Sequence, residues 1–148
     1  IYRESDIISL NCPLTKDNAH MINENSINKM KDGAIIINTA RGGLIDTKAL
    51  IKAIKSKKIY GAALDVYENE KNYFFNDCSK DGIDDEVLKE LLQLENVIVF
   101  SHQAYLTKEA LTSIAVVSIN NIKSFLNGEF LKNEVFYDEL QDKIVDFR

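Results

Sequence analysis

The sequence of 148 residues contains few of the residues that build metal sites, disulfide frameworks or basic binding faces. It has two cysteines and two histidines, and Cys12 and Cys78 are too far apart to form a CxxC pair. We therefore expect a reduced protein without a bound metal. Acidic residues outnumber basic ones by 23 to 18, which argues against nucleic acid or a membrane surface as a partner. No apolar run approaches the roughly 18 residues that a membrane-spanning helix needs.

Glycine and proline are also scarce, with six residues and one residue respectively. No three glycines fit the G-x-G-x-x-G spacing, so the sequence does not contain the turn that holds a dinucleotide's pyrophosphate. The apolar fraction of 45% is enough for a buried core, and the length suggests about one domain. Because the first residue is Ile1 rather than methionine, we expect the chain to start within a longer protein.

Short apolar runs alternate with amphipathic segments along the chain. Such strand–helix–strand alternation predicts an α/β fold with βαβ units and a right-handed parallel sheet. The β-branched run at residues 34–38 is typical of a strand buried on both faces. Strands are predicted at residues 7–10, 34–38, 59–64 and 97–100, and helices at 24–30, 47–56, from Asp84 or Asp85 to Leu92, and 107–126.

Two segments depart from this alternation. Residues 68–82 are acidic and aromatic, and an irregular loop of this length is usually functional or mobile. Residues 129–148 carry many apolar side chains, and the sequence offers no obvious segment to cover them. We expect this tail to dock onto another part of the protein.

Reactive side chains follow the predicted strands. Arg41, Asp65 and His102 come directly after three of them, and Glu70 follows Asp65 closely. Ligands bind at the carboxyl ends of strands in open parallel sheets, so these side chains are expected at one edge. An arginine can bind and polarise a 2-oxo acid, a histidine can donate a proton, and a carboxylate can keep that histidine protonated. The set contains no reductant and would need a bound hydride donor.

Each of these residues also has a simpler interpretation when taken alone. Arg41 could lie on the surface, and Gly42 and Gly43 could only allow a tight turn. A single histidine such as His102 is more often structural than catalytic. The functional hypothesis therefore depends on their convergence at one edge.

Three motifs, at residues 38–43, 61–70 and 101–104, resemble the NAD-dependent D-2-hydroxyacid dehydrogenases. The Phe74-Phe75 pair and the residues after His102 resemble the fermentative D-lactate dehydrogenase subgroup most closely. The resemblance implies that NAD is the cofactor, that the substrate is a small 2-oxo or 2-hydroxy acid, and that pyruvate and D-lactate are interconverted.

The resemblance also assigns individual roles. The family's catalytic glutamate falls on Glu70 and not on Glu68, and its acid/base histidine falls on His102. The implied catalytic residues are Arg41, Glu70 and His102; the implied cofactor contacts are Cys12, Pro13, Asn18, Thr39, Ala40, Arg41 and Asp65; the implied substrate contacts are Arg41 and Tyr105.

The same resemblance revises the domain count. It implies that residues 1–103 form the later part of the NAD-binding domain, the later half of a Rossmann-type doubly wound parallel sheet. Residues 104–148, with the C-terminal helix, would return to a substrate-binding domain. The glycine-rich turn and the acidic ribose ligand would then precede Ile1. A cytoplasmic homodimer, or a multiple of one, is also implied.

Three alternatives remain open at this point. The protein could act on hydroxypyruvate, a branched 2-oxo acid or a phosphorylated acid with the same residues. It could be an NAD-sensing binding protein, or the chain could be an inactive truncated copy.

Overall fold

The computed structural model describes residues 1–80, 82–138 and 143–145, with side chains up to residue 135. The chain forms two compact units, Ile1–Ala104 and Tyr105–Arg148. The assignment of these units to a cofactor domain and a substrate domain stays a prediction.

The first unit is built around a four-stranded sheet whose strands are all parallel and lie in chain order. This arrangement confirms the predicted α/β fold class. The strands are β1 (Ile7–Leu10), β2 (Ala34–Asn38), β3 (Ile59–Leu64) and β4 (Val97–Val99), and the helices are α1 (Glu24–Ile27), α2 (Thr47–Lys55), α3 (Glu70–Tyr73) and α4 (Glu86–Leu92).

The hydrophobic core lies on one face of this sheet. Alternate strand residues such as Ile8 and Ile36 pack there with Leu50 of α2 and Leu91 of α4. Apolar side chains removed from water in this way supply most of the folding free energy.

The opposite face of the sheet is less buried than the sequence predicts. Ile35 and Ile37 of β2 are only half-buried, so the prediction of a strand covered on both faces is wrong for this side. The last strand ends at Val99 and not at residue 100, and Ile98 and Phe100 are both 57% exposed. Successive strand residues point to opposite faces, so covering one face leaves every second side chain open.

Helix starts follow the predicted capping residues. The Asp46 side chain accepts a hydrogen bond from the Ala49 amide (3.0 Å), and Asp85, not Asp84, caps α4. The predicted helix over residues 24–30 is too long, because α1 ends at Ile27. Beyond it, the Met30 amide donates to the carbonyl of Ile27, a tight turn that still buries the Met30 side chain.

The described residues of the predicted loop, 68–80 and 82, are not all irregular. They include the one-turn helix α3, and Tyr73 and Phe74 are half-buried against the core. Phe75 is 63% exposed. The two neighbouring phenylalanines therefore face different surroundings.

The second unit contains the predicted long helix, α5 (Lys108–Leu126), capped by the Thr107 hydroxyl. Gly128 ends it with φ +66°, and the Glu129 amide donates to the carbonyl of Ser124 (2.9 Å). This is a Schellman arrangement, in which a left-handed glycine satisfies the last carbonyls of a helix.

Beyond α5, the described residues include an antiparallel pair of strands, β5 (Phe136–Asp138) with β6 (Lys143–Val145). Phe130 is 89% exposed and Val135 is 64% exposed. The predicted docking of the apolar tail stays a prediction, and its side chains beyond residue 135 lie outside the described residues. Along the described ranges, no helix is both long and apolar enough to cross a membrane, and no three His, Cys, Asp or Glu side chains gather as a metal site.

Candidate active site

The carboxyl ends of three neighbouring strands are joined by backbone hydrogen bonds. The Asp65 amide donates to the carbonyl of Asn38 (2.9 Å), and the His102 amide donates to the carbonyl of Asp65 (2.7 Å). The parallel pairing thus continues past the strand ends and brings the segments after β2, β3 and β4 side by side. Asp65 and His102 meet at this edge as the sequence predicts.

His102 and Glu70 form a hydrogen-bonded pair at the same edge. The ring Nδ1 lies 3.0 Å from Glu70 Oε1, and the other carboxylate oxygen accepts from the Tyr67 amide at 3.1 Å. The side chains of His102 and Glu70 are 32% and 17% exposed. A carboxylate on Nδ1 orients the imidazole and makes Nε2 the nitrogen that can exchange a proton with a bound molecule.

Asp65 supports the backbone on which His102 stands. Asp65 is 4% exposed, and its two carboxylate oxygens accept from the amides of Gln103 and Ala104, both at 2.8 Å. His102 has φ +56°, a left-handed conformation that is uncommon outside glycine. The hydrogen bonds from these two backbone amides fix the chain directly after His102 and so hold His102 in this conformation.

This supporting role of Asp65 is not evident from the sequence. The only signal is an aspartate directly after a strand that is otherwise apolar. Because a carboxylate oxygen can accept more than one hydrogen bond, the predicted contact of Asp65 with the cofactor stays a prediction.

Arg41 lies on the neighbouring loop, where its guanidinium bonds to the adjacent backbone. Its Nη1 donates to the adjacent carbonyl of Ala40 at 2.7 Å, and the residue is exposed. The buried Asn38 side chain shapes this loop, because it donates to the carbonyl of Arg41 (2.9 Å) and accepts from the Ala40 amide (3.0 Å). Thr39 is exposed. The predicted contact between Arg41 and a substrate carboxylate stays a prediction.

The absence of a side chain at Gly42 allows two backbone segments to pack closely, and not only the tight turn that the sequence predicts. A Cβ on this residue would lie 2.1 Å from the carbonyl carbon of Tyr67 and 2.5 Å from the Glu68 nitrogen. Only a residue without a side chain lets the Arg41 loop approach the segment that leads to Glu70.

Gly42→Ala should therefore destabilise the protein by about 2–4 kcal/mol, because backbone must move to admit the methyl group. The comparison is Gly33→Ala, where φ is +80° and nothing lies within 4 Å of an added Cβ. That change should cost about 1–2 kcal/mol from conformation alone. Denaturant unfolding of both variants measures the difference, and equal losses would contradict the close approach at Gly42.

The loop after β1 carries the predicted cofactor contacts Cys12, Pro13 and Asn18. The Asn18 side chain braces this loop, accepting from the Thr15 amide (2.7 Å) and donating to the carbonyl of Pro13 (2.8 Å). Cys12 is half-buried and Pro13 is exposed. Leu10 pairs with Asn38, so this loop borders the Thr39–Arg41 loop.

The two phenylalanines of the subgroup motif have different neighbours. The Phe75 ring is tilted by 45° to the His102 ring, with centroids 6.1 Å apart. Phe74 instead packs on Tyr67 at 6.2 Å. Tyr105, the first residue of the second unit, is 54% exposed, and its substrate contact stays a prediction.

Tyr67 anchors the segment that leads to Glu70. Its hydroxyl donates to Asp85 Oδ2 at 2.9 Å. Burial raises the pKa of Tyr67, and the hydrogen bond to Asp85 raises it further, so the phenol stays neutral. Burial by itself would raise the pKa of Asp85, but hydrogen bonds from the Leu88 amide and the Tyr67 hydroxyl lower it overall. The segment is thereby attached to the start of α4.

Comparison with known proteins gives a consistent result. A family model described as the NAD-binding domain of the D-isomer-specific 2-hydroxyacid dehydrogenases matches residues 1–104. The chain is 47% identical to D-lactate dehydrogenase of Escherichia coli K12 over 135 residues, which are 91% of this chain and 41% of that protein. It is 51% identical to a 2-hydroxyacid dehydrogenase homolog of Zymomonas mobilis over 87% of this chain and 39% of that protein.

A solved structure of D-lactate dehydrogenase with NAD+ from Lactobacillus jensenii matches with a TM-score of 0.81 and 39% identity. The match covers 88% of this chain and 39% of the Lactobacillus chain. The chain thus spans about two fifths of the length of these relatives. With a family match over the whole first unit, and a histidine–carboxylate pair at the carboxyl edge of its sheet, the chain belongs to the D-isomer-specific 2-hydroxyacid dehydrogenase family.

Proposed function

We propose that the whole protein reduces pyruvate to D-lactate with NADH. The observation that carries this proposal is the His102–Glu70 pair at the edge of the family's NAD-binding domain. A histidine that is hydrogen-bonded to a carboxylate is suited to give a proton to a carbonyl oxygen.

His102 is proposed as the general acid. Its Nε2 donates a proton to the substrate oxygen as that oxygen becomes an alkoxide. Glu70 accepts from Nδ1–H at 3.0 Å, so its charge stabilises the imidazolium and fixes the ring. In the reverse direction the same nitrogen takes the proton from the hydroxyl of D-lactate.

Arg41 is proposed to bind the substrate carboxylate. A guanidinium can hold a carboxylate through two parallel hydrogen bonds and can polarise the neighbouring carbonyl. The observed bond from its Nη1 to Ala40 is a single exposed one, which costs little to exchange for a substrate contact.

NADH, when bound, would supply the hydride to the substrate carbon and leave as NAD. The ends of β1 and β2 are neighbours at the carboxyl edge of the sheet, since Leu10 pairs with Asn38, and the Asp65 amide joins Asn38 to the segment beside His102. This edge is where open parallel sheets bind such cofactors, which supports the proposal. We propose that the residues that hold the cofactor are Cys12, Pro13, Asn18, Thr39, Ala40, Arg41 and Asp65.

Pyruvate is favoured over larger oxo acids because of Phe75. Its ring stands 6.1 Å from the His102 ring and is itself exposed, so it takes up space beside the proton donor. Aromatic 2-oxo acids are the competing substrate class, because an aromatic 2-oxoacid reductase of Clostridium sporogenes is 46% identical to this chain over 134 residues.

The test is NADH oxidation by the whole protein with pyruvate, hydroxypyruvate, 2-oxoisocaproate and phenylpyruvate. We expect pyruvate to have the largest kcat/KM, by about tenfold or more, and the product to be the D isomer. A preference for phenylpyruvate would overturn the substrate assignment. NADH binding without turnover of any oxo acid would instead favour an NAD-sensing binding protein.

A further inference from the structure

Both histidines of the chain are paired with glutamates from one short segment. His102 contacts Glu70, whereas the Nε2 of His20 lies 2.6 Å from Glu68 Oε1. The proposed proton transfer uses only the first pair. The second pair has no role in it and calls for a separate explanation.

Glu68 connects three segments that carry the proposed site. Its Oε2 accepts from the amide of Thr47, the first residue of α2, at 2.9 Å. Its Oε1 contacts His20 at the end of the loop after β1. Glu68 itself lies between Asp65 and Glu70. The Glu68 side chain is 25% exposed, so these contacts are partly shielded from water.

The backbone at His20 needs such support. His20 has φ +50°, a left-handed conformation that costs a residue with a side chain some energy. Its amide donates to the carbonyl of Gly43 at 2.8 Å, which attaches the same loop to the Arg41 loop. The His20–Glu68 contact therefore fastens the later part of the loop after β1, whose start carries Cys12.

We propose that His20 and Glu68 are a positioning pair that sets the affinity for the cofactor. The pair holds the loop with Cys12, Pro13 and Asn18 in the conformation that binds NADH. This inference rests on the proposed function, because those contacts are part of it.

The pair should act on binding and not on the proton transfer. The proton donor is held by Glu70 and by the backbone bonds to Asp65, which involve neither His20 nor Glu68. When only a fraction of molecules has the binding-competent loop, the apparent dissociation constant rises by the inverse of that fraction. The rate of proton transfer in molecules that have bound NADH is unchanged.

The experiment compares two neighbouring glutamates with the same substitution in the whole protein. Glu68→Gln and His20→Gln should each raise the Kd and KM for NADH by about fivefold or more, with kcat at saturating NADH within about twofold of wild type. Glu70→Gln should do the reverse, lowering kcat with the NADH Kd retained. The double variant should bind NADH no more weakly than Glu68→Gln alone, because that variant has already lost the contact with His20.

Amide hydrogen exchange provides a readout that needs no turnover. In Glu68→Gln the amides of Thr47 and His20 should exchange faster, while that of Gln103 is unchanged. An unaltered NADH Kd, or a fall in kcat that matches Glu70→Gln, would overturn the positioning role. If the wild type binds NADH but reduces no oxo acid, the proposed reaction fails while the NADH Kd still tests this pair. A wild type that does not bind NADH would overturn both proposals.

Discussion

Replacement of His102 by glutamine should lower kcat by about 10²–10⁴-fold, the range that a positioned general acid contributes. Glutamine is of similar length and keeps an N–H donor, but its amide cannot release a proton to an alkoxide. The Kd for NADH should stay near the wild-type value, because the backbone bonds around residue 102 involve Asp65 and not the imidazole. Steady-state kinetics with pyruvate and equilibrium NADH binding measure the two effects separately.

A suitable control is Lys52→Gln, which removes only an exposed ion pair to Glu24. Such pairs contribute little to stability, so turnover should be unchanged. Wild-type kcat in His102→Gln would remove His102 from the mechanism. A parallel loss of NADH binding would indicate damage to the fold and would remove the evidence for a general acid.

Replacement of Asp65 by asparagine should destabilise the protein by about 2–4 kcal/mol, and it should also lower kcat. Two backbone amides, those of Gln103 and Ala104, point at the two carboxylate oxygens. An asparagine amide presents one oxygen and one N–H₂ group, so one amide faces another donor in either orientation. Because Asp65 is 4% exposed, water does not easily replace the lost acceptor.

The effect on kcat follows from the backbone of His102. Its left-handed conformation, with φ +56°, is held by these two bonds, so their loss lets the imidazole leave Glu70. Denaturant unfolding without cofactor separates this structural role from any contact with NADH. The stability loss should appear as a lower midpoint with an unchanged m-value.

Asp46→Asn is the matched control for this prediction. Asp46 caps α2 by accepting a single hydrogen bond from the Ala49 amide, and asparagine caps helices about as well as aspartate. The same chemical change should therefore cost little there. Comparable losses in Asp65→Asn and Asp46→Asn would contradict the double-acceptor role of Asp65.

Local patterns in the sequence were enough to predict most of the secondary structure and the parallel sheet. Hydrophobic periodicity, capping residues and β-branched runs are local signals. They predicted the bounds of β1, β2, β3, α2 and α5 to within a residue or two. The meeting of Asp65 and His102 was also predictable, because the carboxyl ends of parallel strands share an edge.

Other predictions failed or stayed incomplete because they depend on contacts between distant segments. Burial of Ile35 and Ile98 depends on what covers each face of the sheet, which periodicity does not encode. The short helix α3, within the segment interpreted as a loop, forms where Tyr73 and Phe74 pack on the core.

The family resemblance pointed to Glu70 and His102, but the pairing of Glu68 with His20 follows from the tertiary structure alone. Glu68 and Glu70 are both near Asp65 in sequence, yet one meets His20 across 48 positions and the other meets His102 across 32. Likewise, Gly42 is needed because the backbone at Tyr67 lies against it. Such pairings arise when non-adjacent strands and loops come together, so a chemically similar residue two positions away gains an entirely different partner.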